Sequence, residues 1–404
     1  MGQDITMDRK RLQPIYSIQI CRYLMIPIGI WPLDETATLL CRVLSQLAKA
    51  IVFFQISFIM VPCVSHILIE EHDLQVQVKQ LGPLSFVVMS ISKYCTILAT
   101  MNEIRACLQH IEDDWVSLNT MGDTAETEIM RRSDKLGKFL SLLSAIFTYA
   151  SVLSYYTVLP YSINKMIASE FRENMLSVNG TGNKNSEPPR ILTWPVYTSL
   201  MHVDQSPAYE IVCFMQFISG YCIHTIASAA CSLMAVFVSH ICGQLEIIAL
   251  ELRGPVNGAR QVSSDPDKMA KIVQRHLRAL NFADKVNTNM ATVCFVEFAG
   301  CTLNICMLEY YFVSEIVNHN PFGVITYSFI WMSFVFNIFI FCYIGQLLTD
   351  QCEKVSEAAY DMDWFTFSGN KARDLMMIIA IANRAPRRIT AGKIFFMNLE
   401  NFGK

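Results

Sequence analysis

The chain alternates between long apolar runs and charged connecting segments. A helix needs about 20 mainly apolar residues to cross a hydrocarbon core of about 30 Å. Runs of that length occur repeatedly, whereas the apolar run 375–382 is too short to cross. The long runs cover residues 50–69, 81–101, 139–160, 211–245, 291–313 and 321–349. The pattern therefore predicts an all-α membrane protein with six spans.

Two of these spans, 211–245 and 321–349, are longer than a bilayer requires. Residues 211–245 contain no Asp, Glu, Lys or Arg and would form a helix about 52 Å long. The segment 246–290 also has a helical pattern, with Asp265 as a candidate N-cap and Pro266 at the first helical position, and we expect this helix to run without a break into the fifth span. Segment 350–393 begins as a polar continuation of the last span. We expect 246–290 and 350–393 to form anchor elements in the cytosol.

Composition supports the membrane assignment and excludes several classes of function. Of the 404 residues, 52% are hydrophobic and only 17% are charged, which is too apolar for an ordinary soluble domain. The net charge of -3 gives no bulk attraction to nucleic acid. The 14 cysteines show no metal-binding spacing, and we interpret them as buried free thiols. No phosphate-binding loop or nucleophile motif occurs, so we predict no enzyme activity, metal or cofactor.

Positive charge predicts the orientation of the chain. Most of the 32 Lys and Arg residues lie in segments 1–49, 102–138 and 246–290 and after residue 349. Because basic connections stay in the cytoplasm, we expect a cytoplasmic N-terminal segment. The only Asn-x-Ser/Thr sequon, at Asn179, falls in a loop on the opposite side, where glycosylation would occur. This orientation is the reverse of that of a G-protein-coupled receptor.

Charged residues inside the predicted spans need a separate interpretation. Lys93, Glu297 and Glu309 all lie within apolar runs. A charge near the bilayer centre costs about 2.5–3.5 kcal/mol on insertion scales, so it should face a partner, water or the interface. We interpret Lys93 as paired with one of the two glutamates, or as snorkelling, in preference to direct ligand contact. We interpret His224, in the fourth span, as a hydrogen-bonded packing residue.

Short segments of the chain resemble those of insect odorant receptors. The matching segments are Ile111-Glu112-Asp113-Asp114-Trp115, Cys342-Tyr343-Ile344-Gly345, Ser356-Glu357-Ala358-Ala359-Tyr360, Asp363-Trp364, Ile389-Thr390-Ala391-Gly392-Lys393 and Leu399-Glu400-Asn401-Phe402. Each segment alone is a weak signal, but their order together with the inverted topology makes a specific one. Span number, orientation and the lengths of the cytosolic loops fit the same family along essentially the whole chain.

The resemblance implies an inverted seven-helix receptor-channel with a cytoplasmic N-terminus. Such receptors assemble as tetrameric ligand-gated cation channels, normally with a shared co-receptor subunit (Orco). The resemblance also implies a ligand pocket in the outer half of each subunit and a pore lined by the last half of helix seven. Since only Gly403-Lys404 follow the last matching segment, we expect 394–404 to be the truncated start of that helix, with its pore-lining half missing. One hypothesis is a mis-ended gene model.

The resemblance places the pocket among the outer halves of spans two, three, four and six. A pocket for small volatile ligands needs aromatic and aliphatic walls with a few hydroxyls. At each single position, ordinary packing between helices is an equally good interpretation, so the candidates define a region. They are Val88, Met89, Ser92, Tyr149, Val152, Tyr156, Ile211, Met215, Tyr327, Ile330 and Trp331.

We therefore predict an odorant-binding tuning subunit of a heteromeric ligand-gated non-selective cation channel, in the plasma membrane of sensory neuron dendrites. The predicted partners are the co-receptor subunit Orco in a heterotetramer, a small volatile ligand and the lipid bilayer, but not nucleic acid. A gustatory-type receptor channel and a non-conducting truncated subunit are alternatives. A six-span transporter is another, but the repeat symmetry or broken helix that it would require is not evident.

Overall fold

The chain is almost entirely helical where the structure describes it. The structure is a computed structural model that describes residues 16–34, 36–70, 72, 74–121, 124–177, 190–196, 203, 206–253, 266–317, 319–361 and 388–403. The helices are α1 (Tyr16–Met25), α2 (Leu39–Ser65), α3 (Leu74–Ala99), α4 (Met101–Met121), α5 (Thr124–Leu153), α6 (Leu159–Ser177), α7 (Ala208–Arg253), α8 (Pro266–Val317), α9 (Pro321–Tyr360) and α10 (Leu399–Phe402). A π-helical turn follows α2 at His66–Glu70, and another follows α5 at Ser154–Val158. Strands β1 (Thr390–Ala391) and β2 (Phe395–Phe396) pair in an antiparallel hairpin.

Six described helical segments are long and apolar enough to cross a membrane. They are Leu39–Glu70, Gln80–Ala99, Thr124–Arg172, Ala208–Arg253, Met269–Val317 and Pro321–Tyr360. Each overlaps one of the predicted spans, so the chain is an all-α multi-pass membrane protein. The second span ends at Ala99 rather than at residue 101, because the chain turns at Thr100 into α4. Asn179, Asp265, Asp363-Trp364 and the short apolar run 375–382 lie outside the described residues.

Helix α7 is the central element of the fold. In the apolar part of α7, 83% of the residues are buried, compared with 33–39% in the other five spans. A helix that is apolar on all sides must be covered on all sides, and α7 packs against α1, α2, α3, α5, α8 and α9. Small side chains allow the neighbouring helices to approach closely. The buried small residues in the middle of α7 are Ala227, Ser228, Ala229, Ala230 and Ser232.

The long helices continue into a bundle at the end that the sequence predicts to be cytosolic. The predicted continuation of segment 246–290 into the fifth span is confirmed, because α8 is unbroken from Pro266 to Val317. Helix α9 likewise extends beyond residue 349 to Tyr360. An ion pair joins two of the extended helices, with Arg275 Nη1 on α8 2.5 Å from Glu251 Oε1 on α7.

Asp114 connects three helices of this bundle. Its Oδ2 accepts hydrogen bonds from His240 Nε2 at 3.1 Å and from Gln244 Nε2 at 3.3 Å, both on α7, and its Oδ1 accepts one from Arg278 on α8. Burial raises the pKa of Asp114, but the hydrogen bond from His240 and the neighbouring cations outweigh burial and hold the pKa below its ordinary value. Asp114 is therefore ionised at neutral pH and serves as the common acceptor between α4, α7 and α8.

The C-terminal segment docks on α8 and α9. The backbone N–H of Gly392 donates to the carbonyl oxygen of Ala291 at 2.9 Å, and that of Thr390 donates to Asn287 Oδ1 at 2.9 Å. On α9, Gly345 permits close approach, since a Cβ atom there would lie 2.0 Å from the carbonyl oxygen of Met397. A side chain at this position would therefore meet backbone, which cannot rotate away.

Replacing Asp114 by Asn should destabilise the bundle. The change leaves the donors of α7 and α8, of which His240 is buried, with a weaker, neutral acceptor, and we expect the free energy of unfolding to fall by about 1–3 kcal/mol. The apparent melting temperature of the detergent-purified protein measures this effect. Asp113→Asn is the matched control, because Asp113 is exposed on the same helix. Equal melting temperatures for the two variants would contradict the role given to Asp114.

Replacing Gly345 by Ala should weaken the docking of the C-terminal segment. The added methyl group overlaps the backbone at Met397, and overpacking of this kind costs about 1–3 kcal/mol. Limited proteolysis at the 388–403 segment should become faster in this variant. Gly403→Ala is the control, because the nearest atom to a Cβ at Gly403 would be 3.8 Å away. Unchanged cleavage in Gly345→Ala would show that the close approach does not hold the segment.

Candidate functional site

A cavity of about 100 Å³ lies between α3, α5 with its π-helical turn, α7, α8 and α9. It is near the start of α7, away from the bundle of helix ends, which places it in the outer half under the predicted orientation. Its walls are mainly aromatic and aliphatic, as is usual for sites that bind small molecules. The lining residues are Gly82, Pro83, Phe86, Val87, Ser151, Tyr155, Tyr156, Trp194, Ile223, His224, Asn304, Met307, Leu308, Tyr311, Tyr327, Ile330 and Phe334.

One wall joins the π-helical turn after α5 to the connecting segment that contains Trp194. The Trp194 indole Nε1 donates to the hydroxyl of Tyr156 at 2.9 Å. Gln216 on α7 holds the backbone of Trp194 by a reciprocal pair of hydrogen bonds, of 3.2 Å and 3.0 Å. Gly220 leaves space for the Tyr156 ring, because a Cβ atom there would lie 2.2 Å from the ring. These contacts hold two aromatic side chains in defined positions at the cavity.

The opposite wall belongs to α8 and α9. The rings of Tyr311 and Tyr327 lie 5.7 Å apart, centroid to centroid. The side chain of Asn304 is already hydrogen-bonded within the protein. Its Nδ2 donates to the carbonyl oxygen of Gly300 at 2.8 Å, and its Oδ1 accepts from the hydroxyl of Ser85 at 3.2 Å. This wall therefore includes a polar side chain, but its amide group is largely used in holding α3 against α8.

Three rings form the floor of the cavity, on the side nearer to the helix bundle. The ring of Phe86 on α3 lies 4.7 Å from His224 on α7 and 5.3 Å from Phe334 on α9, centroid to centroid. His224 Nδ1 lies 2.8 Å from the carbonyl oxygen of Gly220. The interpretation of His224 as a hydrogen-bonded packing residue is therefore incomplete, because its ring also lines the cavity.

Behind this floor, Lys93 and Glu297 form a buried ion pair. Lys93 Nζ and Glu297 Oε2 are 2.6 Å apart, and both side chains are 0% exposed. Glu297 Oε1 accepts hydrogen bonds from Asn337 Nδ2 at 2.5 Å and from Cys301 Sγ at 3.1 Å. Such bonds compensate part of the cost of burying a carboxylate. Of the two glutamates that the sequence offered as partners, Glu309 is exposed and lies apart from Lys93.

Lys93, Glu297 and Asn337 form a polar cluster, and each lies at the same distance along its helix from a residue that lines the cavity. Each residue of the polar cluster is seven positions, or two helical turns of about 10.5 Å in total, from a cavity-lining residue on the same face. The pairs of positions are Phe86 and Lys93 on α3, Asn304 and Glu297 on α8, and Ile330 and Asn337 on α9. Because α8 runs antiparallel to the other two, the polar residues meet on one side of the cavity. The helices thus connect the cavity wall rigidly to the ion pair.

The structure brings some of the predicted pocket residues to the cavity and places the rest elsewhere. Tyr156, Tyr327 and Ile330 line it. Val88 and Ile211 are 49% and 59% exposed, on faces turned away from the helix core.

The remaining predicted residues take part in other contacts. Met89 packs against Gly300 on α8, and Ser92 donates to the carbonyl oxygen of Val88. Tyr149 forms a hydrogen bond with Thr225 and stacks on Tyr221, and Val152 is buried. Met215 is half-buried, and Trp331 packs against the buried core. These residues were chosen by their depth along each helix. The sequence does not predict the rotation of a helix about its axis when the helix is apolar on nearly all sides, because no single face then differs from the others.

Sequence reasoning also missed residues that line the cavity, above all those of α8. Asn304, Met307, Leu308 and Tyr311 are spaced by three and four residues and therefore lie on one helical face. A polar Asn in this periodic set was a signal that could have identified the wall. Trp194 carried no comparable signal, because it belongs to a connecting segment whose position depends on Gln216 and Tyr156.

The family model and the similar sequences agree on one protein family. The family model described as "7tm Odorant receptor" matches residues 73–404. Odorant receptor 10 of Aedes albopictus is 26% identical over 210 residues, covering 49% of this chain and 52% of that receptor. The matched part thus spans about half the length of that relative. Odorant receptor 24a of Drosophila melanogaster is 21% identical over 395 residues, covering 93% of this chain and 90% of the relative.

Comparison with solved structures shows the same fold. The insect olfactory receptor OR5 from Machilis hrabei has a TM-score of 0.71 at 15% identity, covering 96% of this chain and 93% of that chain. The same receptor in complex with eugenol has a TM-score of 0.68 at 16% identity, with the same coverage. At this level of identity the likeness concerns the fold.

Replacing Lys93 by Met should impair folding, because it leaves the Glu297 carboxylate buried without its cation. Breaking a buried pair in this way costs about 3–5 kcal/mol. We expect reduced surface expression, measured with an extracellular tag or by surface biotinylation. The double variant Lys93→Met/Glu297→Gln should recover much of that loss. Glu309→Gln is the control, because that glutamate is exposed on the same helix. Additive losses in the double variant would contradict the pairing.

Proposed function

This chain belongs to the 7tm Odorant receptor family, and we propose that it binds a small volatile ligand in the cavity between α3, α5, α7, α8 and α9. The observation that carries this proposal is the cavity itself, which is enclosed by aromatic rings near the start of α7. A cavity of this order, when lined by apolar side chains, accommodates molecules the size of benzene. The eugenol complex of a receptor with the same fold supports a one-ring ligand.

We further propose that ligand binding shifts the chain between two conformations. A ligand changes such an equilibrium only by its differential affinity for the two states. The cavity is bounded by α7, α8 and α9, and these same helices continue into the bundle held by Asp114 and Arg275. A change in the cavity wall therefore has a continuous helical connection to the bundle. We assign segments 246–290 and 350–393 to a cytosolic anchor on this basis, and segment 1–49 to the cytoplasm.

In the assembled receptor, we propose that the chain is the tuning subunit of a heteromeric ligand-gated cation channel in the plasma membrane of olfactory neurons. Its partner would be the shared co-receptor subunit in a heterotetramer. Only 33% of the residues in the apolar part of α9 are buried. This supports the assignment, because large apolar faces are left for lipid or for neighbouring subunits. Glycosylation at Asn179 is a prediction of the same topology.

Filling the cavity should weaken the response to ligand while leaving the protein at the cell surface. Ile330→Trp adds a ring at a lining position, and we expect the half-maximal ligand concentration to rise at least about tenfold, which equals about 1.4 kcal/mol. The measurement is the inward current evoked by an odorant panel in cells that co-express the co-receptor. The matched control is Phe329→Trp, one residue away on the exposed face of α9.

Three outcomes of this experiment are informative. A response that survives Ile330→Trp unchanged places the ligand outside this cavity. A response to the panel without the co-receptor contradicts the tuning-subunit assignment. The absence of any response in the wild-type chain with the co-receptor, despite normal surface expression, contradicts the proposed channel function.

A further inference from the structure

His224 presents a defined hydrogen-bonding group to the cavity. Its Nδ1 lies 2.8 Å from the carbonyl oxygen of Gly220, one turn earlier on α7. A carbonyl oxygen only accepts hydrogen bonds, so Nδ1 must carry a proton and donate it. The backbone of α7 thereby determines which ring nitrogen is protonated.

The second ring nitrogen, Nε2, is then an acceptor. A charged imidazolium placed among Phe86 and Phe334 without a counter-ion would be costly, and the carboxylate behind the floor, Glu297, is already paired with Lys93. The His224 ring is therefore neutral, with a lone pair on Nε2. Among the residues that the structure describes, none donates a hydrogen bond to this atom.

Other polar groups at the cavity are committed or are of a different kind. The amide of Asn304 bonds to Gly300 and Ser85, and the hydroxyl of Tyr156 accepts a hydrogen bond from Trp194. Phenolic hydroxyls such as that of Tyr327 can donate to a ligand as well as accept from it. Among the lining residues that the structure describes, His224 offers at Nε2 an acceptor that cannot also donate and that, unlike Oδ1 of Asn304, accepts no hydrogen bond from the protein.

We propose that His224 accepts a hydrogen bond from a ligand hydroxyl, and that the cavity selects small one-ring alcohols and phenols over their methyl ethers. This inference rests on the proposed function and names the ligand class of the same cavity. The ligand ring packs against Phe86 and Phe334, and its hydroxyl lies toward Nε2. A methyl ether of the same shape places an oxygen lone pair opposite the Nε2 lone pair and leaves the acceptor unsatisfied, which is the unfavourable arrangement for a polar site.

The test compares two matched ligand pairs on the full chain co-expressed with the co-receptor. The probes are 4-ethylphenol with 4-ethylanisole, and benzyl alcohol with benzyl methyl ether. In the wild-type chain we expect the hydroxyl compound to act at about fivefold lower concentration than its ether, the value for one net hydrogen bond. In His224→Phe, which keeps a ring against Phe86, the ratio should fall to about one. In His224→Gln, whose amide can donate to the ether oxygen as well as accept from the hydroxyl, the ratio should also fall toward one, but through a gain in response to the ether.

The ratio within each variant removes differences in expression, and Ile330→Val is the control that should shift both members of a pair equally. If His224→Phe does not reach the surface, His224→Leu takes its place. An unchanged ratio in the variant without an acceptor overturns this inference. So does a wild-type chain that responds to panel odorants of other classes but shows no preference for the hydroxyl member of either pair. A wild-type chain that responds to no odorant overturns the proposed function itself.

Discussion

The uncharged part of α7, residues 211–245, is buried among six other helices, and most of the structure is arranged to provide that cover. In a membrane there is little hydrophobic gain from bringing apolar helices together, so close packing of small side chains holds them. Ala229 and Ser232 allow this packing in the middle of α7. Toward its start, Gly220 and Gln216 hold a tyrosine and a tryptophan instead, and the helices separate enough to leave a cavity.

Two charged clusters, one around Lys93 and Glu297 and one around Asp114, lie on the same side of that cavity. They differ in burial and therefore in the free energy needed to break them. The Lys93–Glu297 pair is completely buried, and breaking it would cost about 3–5 kcal/mol. A neutral hydrogen bond between a ligand and the protein contributes about 1 kcal/mol. One such hydrogen bond is therefore too weak to break the pair. The pair stays intact when α3, α8 and α9, which carry this cluster, move as connected segments. The cluster around Asp114 joins α4, α7 and α8, and its Arg278 is exposed, so its bonds are weaker than those of the buried pair.

Some features of this protein depend on one segment of the chain alone, and others depend on how neighbouring helices pack. Span positions, the continuity of α8 and the pairing of Lys93 with a glutamate followed from the sequence, because hydrophobic length and the cost of a buried charge act on each segment alone. The cavity wall followed only in part. Tyr156, Tyr327 and Ile330 were identified at the right depth, whereas Val88 and Ile211 were assigned to faces that the structure leaves exposed. A helix that is apolar on most sides has no marked face, so its rotation depends on its neighbours.

By itself, the sequence determined an all-α multi-pass membrane protein and its family, and it identified three of the residues that line the cavity, since these depend on local composition and on short motifs. Tertiary structure decided which glutamate pairs with Lys93, which face of α8 meets the cavity, and that Trp194 reaches it from a connecting segment. It also decided that the backbone at Gly220 binds one nitrogen of His224 and leaves the other as an acceptor. Each of these depends on atoms brought together from distant parts of the chain or on the orientation of a ring, and spacing along the sequence specifies neither.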